Sequence, residues 1–189
     1  MGVKRRLTTE ILQNRDSCII ISFIIIIQYY TSISTDVIFK HFLVKHNKEI
    51  ESMTTQGISI NGLSPEEIYI KLSRYIFETS NGNTQFNNTY LLEIFQDLII
   101  SYDIEAKIVN FNTEISSVEN DLISKSAFAT ITLHNEVDVH VVPIGWDEEF
   151  YAINHGNYIN IGNSILEILD KLNCTSLGDG VLFNKNEIT

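Results

Sequence analysis

Cys18-Ile-Ile-Ile-Ser-Phe-Ile-Ile-Ile-Ile-Gln-Tyr-Tyr30 is the stretch on which the fold turns. A run this apolar is a membrane span, the apolar region of a signal peptide, or an element buried in a protein core. Its uninterrupted apolar part is roughly half of the ~20 residues a spanning helix needs. The basic start Lys4-Arg5-Arg6 loosely suits a signal peptide, but Glu10 and Asp16 intervene and no small-x-small cleavage site follows Tyr30. The expectation is therefore a buried core element, with no stable membrane insertion. Its β-branched density favours a strand on propensity alone. Burial overrides propensity, however, and Asp16 or Ser17 offers a cap directly before Cys18, so the run is read as a helix.

Around that run lie 189 residues, 44% hydrophobic and 20% charged, the size and composition of one ordinary globular domain. The expectation is one domain over 1–189, with 1–15 a flexible basic N-terminus and 178–189 a tail. The two cysteines, Cys18 and Cys174, are too few for a disulfide scaffold and lack zinc-site spacing. A net charge of −11 excludes general nucleic-acid binding, which needs cations to displace counterions from phosphates. That charge is uneven: residues 1–50 carry seven Lys/Arg against four Asp/Glu, and the rest six against twenty. With no export signal expected, the Asn87-Asn88-Thr89 and Asn173-Cys174-Thr175 sequons are accidental. The chain is then cytoplasmic, or secreted without such a signal.

Beyond Tyr30 the first half reads as helical and the second changes period. Ser64-Pro65-Glu66-Glu67 is a helix start, with Ser at the cap, Pro in the first turn and Glu three residues after the cap. It predicts a helix to about Glu78, and a second follows from about Thr89 to Ser101. Glu105 to Phe111 and Ala127 to Leu133 alternate like strands. Val137 to Ile144 and Phe150 to Asn154 flank a turn over Gly145 to Glu149, which reads as a β-hairpin. Asn163 and Ser164 cap a last helix carrying Ile165, Leu166, Ile168, Leu169 and Leu172. Helices first and an antiparallel sheet second predict an α+β domain.

Cys18 would lie in the first turn of its helix, where the dipole favours thiolate; the alternative is a small buried hydrophobe beside an apolar run. In the hairpin, a turn centred on Asp147 sets His140 opposite Asn154, close enough for an Asn side chain to orient an imidazole. That placement needs an odd loop; an even one puts Ile153 there instead. A thiol, a base and a group that orients the base form a nucleophilic constellation. His41 and His46 have poor metal spacing, His134 and His140 lack a completing cluster, and no Gly-rich phosphate loop occurs. Neither metal nor cofactor is expected.

The run Tyr90-Leu91-Leu92-Glu93-Ile94-Phe95-Gln96-Asp97-Leu98, followed by Tyr102-Asp103-Ile104-Glu105-Ala106-Lys107-Ile108-Val109, resembles a helix, turn and strand of the papain-like cysteine peptidases. The match is closest to the bacteriocin-processing family that trims double-glycine leader peptides. Phe128-Ala129-Thr130-Ile131 and then Val139-His140-Val141-Val142-Pro143-Ile144-Gly145 are similar to that family's strands up to and including its catalytic histidine. Phe150 to Gly156 falls where the family has an acidic strand, Gly162 to Leu172 parallels its closing helix, and Cys18 stands where its nucleophile helix begins. The chain carries extra sequence between Cys18 and the helix at 89, and it departs from the pattern at three further places. Ile19 replaces the glycine after the nucleophile, Asn154 replaces the usual Asp, and Leu12 holds the oxyanion-glutamine place, with Gln13 one residue nearer.

The resemblance implies a papain-like fold, helical part first and packed on an antiparallel sheet. It implies a thiol hydrolase in which Cys18 attacks, His140 is the base, Asn154 orients it and Gln13 assists the oxyanion. The substrate would be a protein or peptide, cut at a peptide or side-chain amide bond. By analogy with stand-alone bacterial effector toxins, glutamine deamidation and acyl transfer are alternatives on the same constellation. A catalytically inactive peptide-binding domain is the alternative from another class.

Overall fold

In the computed structural model, which describes residues 6–8, 17–83 and 86–186, the isoleucine run is a helix, α1 (Cys18–Thr31). Nine of its fourteen residues are buried, so it is apolar on nearly every side and needs neighbours all round. Those neighbours come from α2 (Thr35–Val44), α3 (Asn47–Thr55), α4 (Pro65–Thr79), α5 (Asn88–Ile94) and α6 (Gln96–Ser101) on one side and a sheet on the other. The predicted cap of α4 forms: Ser64 Oγ accepts from the Glu67 N–H at 3.2 Å. The single helix predicted from Thr89 to Ser101 is instead α5 and α6. They meet at Phe95, whose ring lies near those of Phe23 and Phe42, and the Phe95-to-Leu91 and Ile99-to-Phe95 bonds persist across the junction.

The sheet has six strands in the order β1-β6-β2-β3-β4-β5, with every neighbouring pair antiparallel. They are β1 (Ile104–Asn110), β2 (Phe128–His134), β3 (Val139–Asp147), β4 (Glu149–Asn154), β5 (Asn157–Gly162) and β6 (Ser176–Lys185). α7 (Ile115–Ser124) joins β1 to β2, and a 3-10 turn at Ile165–Glu167 leads into α8 (Ile168–Lys171) before β6. Side chains alternate across the sheet, giving it two covered faces. Phe128, Tyr151, Ile153, Val181 and Phe183 pack under α1. Ala129, Ile131, Val142, Ile144 and Ala152 pack under α7 and α8. The chain is α+β. Among the described residues no single helix is long and apolar enough to cross a membrane.

Two expectations at the chain ends need correction. Residues 178–185 of the expected tail are instead part of β6 (Ser176–Lys185), paired on both sides between β1 and β2, and 187–189 lie outside the described residues. Gly178-Asp179-Gly180 reads as turn chemistry, but the glycine serves close approach: a Cβ at Gly180 would lie 1.8 Å from the Thr130 carbonyl oxygen. Thr130 Oγ1 also accepts from the Val181 N–H at 3.0 Å, where the β2–β6 register shifts. Residues 1–5 and 9–15 of the predicted flexible N-terminus lie outside the described residues. Residues 6–8 between them are docked, with Leu7 buried and Arg6 Nε donating to Asp147 Oδ2 at 2.7 Å.

A tail can be removed without loss, whereas an inner strand cannot. Deleting residues 176–189 is expected to abolish cooperative denaturant unfolding. Gly180→Ala, which forces two backbones apart, should cost about 1–3 kcal/mol in the same measurement. An unchanged unfolding midpoint after truncation would overturn the assignment of β6.

Candidate functional site

The β3–β4 hairpin places the first two candidate residues. Its ladder runs from Ile144 opposite Ala152 to Asp147 opposite Glu149, leaving Glu148 alone at the tip with φ 67°. The turn is therefore centred on Glu148, one residue beyond the Asp147 that the sequence predicts. The loop is odd, so His140 and Asn154 keep a common face, but continuing the register sets Asn154 opposite Val142. His140 becomes its diagonal neighbour, still within reach of a long side chain. The contact forms across that diagonal: His140 Nε2 lies 2.7 Å from Asn154 Oδ1.

An amide oxygen can only accept, so this contact assigns the imidazole proton to Nε2 and leaves Nδ1 as the basic nitrogen. Among the described residues no hydrogen bond engages Nδ1. His140 is half-buried, and burial pushes its pKa below the usual histidine value. The Asn154 hydrogen bond opposes this, His155 adds to it by charge, and Asp138 opposes it. The resting imidazole is neutral near pH 7.

Cys18 is the first residue of α1 and is 7% exposed. Ser17 does not cap the helix; its Oγ donates to Glu66 Oε1 at 2.6 Å. Buried Ser22 fixes the first turn to the sheet, donating to the Cys18 carbonyl at 2.7 Å and reaching the Val141 carbonyl at 3.3 Å. The Cys18 thiol thereby sits against the backbone of Val141, one residue from His140. Burial pushes its pKa up, backbone hydrogen bonding at Val141 and Ile19 pulls it down, and the charge of Asp138 raises it again.

The thiol and imidazole approach β3 from different sides. His140 pairs with Leu133, which belongs to the face under α7 and α8, whereas α1 covers the opposite face. Among the described residues no hydrogen bond joins Cys18 Sγ to His140. The structure brings His140 to Asn154 and Cys18 to Val141; Gln13 and Leu12 lie outside the described residues.

A cleft of about 410 Å³ opens over the His140–Asn154 pair, lined also by Asp138, His155, Leu172 and Cys174. Cys174 follows α8 at this cleft. Its thiol donates to the Leu172 carbonyl at 3.4 Å, and burial raises its pKa. His155 was missed altogether; its ring stacks on His140 with centroids 5.1 Å apart and planes 19° apart. The signal for it was its place directly after Asn154, in the turn that must follow β4. A larger groove of about 650 Å³ beside β1 holds neither histidine nor cysteine, so its size carries less weight than the chemistry of the smaller cleft. Two of the other histidines have structural partners. His41 meets Asp97 at 3.0 Å, and buried His46 stacks on Phe42 and hydrogen-bonds Tyr90 at 2.5 Å.

No protein-family model, curated protein or solved structure matches this chain.

The neutral preference of His140 has a measurable sign. Because the folded state binds this proton less readily than the unfolded chain, the unfolded state gains protons first as the pH falls through 6.5. This group's share of stability is intact above that value and lost towards the lower folded pKa. Denaturant midpoints between pH 8 and pH 5 should therefore fall less steeply in His140→Gln than in the unaltered protein. Parallel curves for the two would contradict the burial-driven shift.

Proposed function

We propose that this protein is a cysteine-dependent hydrolase of papain-like architecture, acting on a peptide or side-chain amide bond. The observation that carries the reading is the 2.7 Å contact between His140 Nε2 and Asn154 Oδ1, formed one residue from where the Cys18 thiol meets β3. It holds the imidazole in the tautomer whose free Nδ1 can take a proton from a thiol. Cys18 and His140 meet β3 from opposite faces, so this chemistry requires the start of β3 to turn on substrate binding until Nδ1 reaches the thiol.

In the proposed reaction Nδ1 of His140 removes the Cys18 proton as sulfur attacks the carbonyl carbon. The C–S bond forms, and electrons move to the oxygen, which the Cys18 backbone N–H and the Gln13 side chain stabilise. The C–N bond then breaks, and the imidazolium returns its proton to the leaving amine, or to ammonia if the substrate is a glutamine side chain. Water hydrolyses the thioester, with His140 again as base; an amine in place of water gives acyl transfer.

Burial raises the pKa of both thiols; at Cys18 backbone hydrogen bonding at Val141 and Ile19 and the start of a fourteen-residue helix work against it, while Cys174 has a carbonyl as its partner. A second reading keeps the cleft for peptide binding and drops the chemistry; the 7% exposure of Cys18 favours it.

Iodoacetamide labelling across pH, read by peptide mass spectrometry, separates these. Burial holds the resting Cys18 thiol neutral, so the hydrolase requires the labelling of Cys18 to depend on His140. His140→Ala should slow labelling near pH 7 by about tenfold or more, and Cys174→Ser should leave the Cys18 rate unchanged. A Cys18 that titrates near ~8.5 regardless of His140 rules the hydrolase out. A Cys18 that never labels in the folded protein leaves the binding domain.

A further inference from the structure

The turn joining β4 to β5 has a residue that its backbone does not favour. Asn154 pairs with Asn157, so the loop is the two residues His155 and Gly156, with φ of 49° and 78°. Positive φ at both central positions is a type I′ hairpin, whose first position favours Asn, Asp or Gly. Histidine is tolerated there but is not the residue that backbone selects. What the histidine adds is its ring, which lies on His140 in a near-parallel stack with centroids 5.1 Å apart. The same imidazole is held edge-on by Asn154, the residue immediately before. Two consecutive residues thus fix His140 in two directions, Asn154 in the ring plane and His155 across it.

We propose that His155 is a positioning residue for His140, fixing its ring plane by the stack. The claim rests on the hydrolase reading for its catalytic consequence but not for the contact itself. The other titratable or charged described groups in the cleft are Asp138 from the β2–β3 turn and Cys174 after α8; Cys18 reaches β3 from the α1 side. Asp138 favours imidazolium at His140, and His155 is the group there that disfavours it by charge.

Two substitutions test this. His155→Asn installs the Asn-Gly pair that the turn prefers, so the variant should fold at least as stably while losing the ring. His155→Phe keeps a ring and removes the charge. With ¹³C-labelled histidine, the His140 titration followed by NMR should move to higher pH in both variants, because the repelling charge is gone. Cys18 labelling near pH 7 should slow about three- to tenfold in His155→Asn, the factor such a ring pair is worth, and recover in His155→Phe. An unchanged His140 titration in both variants, or a labelling loss that Phe does not restore, overturns the positioning role. If Cys18 labelling ignores His140 itself, the hydrolase fails instead, and the titration alone decides whether His155 controls His140.

Discussion

Burying α1 is the constraint on which the rest of this fold depends. An isoleucine in a helix costs a few tenths of a kcal/mol against alanine, whereas burying its side chain contributes about 1.5–3 kcal/mol. Seven isoleucines between Ile19 and Ile27 therefore accept the less favoured conformation provided every side of the helix is covered. Coverage takes both halves of the chain: Phe42, Phe86, Leu91 and Phe95 from the helical half, Phe128, Tyr151 and Phe183 from the sheet. The site is a by-product of that packing. Once α1 is pressed on β3, its N-terminus has only the start of that strand to meet, and Cys18 is the residue at its tip.

Sequence legibility followed the strength of local signals. The start of α4 was readable because Ser64, Pro65 and Glu67 each satisfy a separate demand of a helix N-terminus. The face shared by His140 and Asn154 was readable because parity survives a one-residue error in the hairpin centre: opposite partners shift by two and remain on the same side. β6 was not readable. Gly178, Asp179 and Gly180 are turn residues in local chemistry, and only the passing Thr130 backbone explains the second glycine. β5 was missed for a related reason. Asn157, Asn160 and Gly162 make it a polar edge strand, with little of the β-branched density that marks an inner one.

The candidate site was legible as a set of residue types and less so as geometry. Chain order and spacing pointed to Cys18, His140 and Asn154, and the last two meet. That the thiol arrives from the opposite side of β3 follows from which face each core cluster occupies, a property of the whole sheet. His155 escaped notice because only the fold, not the local sequence, brings its ring onto His140.

The electrostatics of the site then limit how the proposed chemistry can proceed. Burial raises the Cys18 pKa and lowers that of His140, so both groups are driven towards their neutral forms by the same cause. Such a pair rests as thiol and imidazole, not as thiolate and imidazolium. An aspartate at 154 would favour imidazolium and help to preform the ion pair; Asn154 orients the ring without adding charge. Asp138 is the nearby carboxylate, and it acts on both partners, stabilising imidazolium while opposing thiolate. Its net help to the ion pair is therefore partly cancelled. Proton transfer is left to coincide with attack, when the developing oxyanion at the helix start supplies the charge that the resting site lacks. A thiol held this way is quiet until a carbonyl is in place, which suits a selective hydrolase better than a generally reactive one.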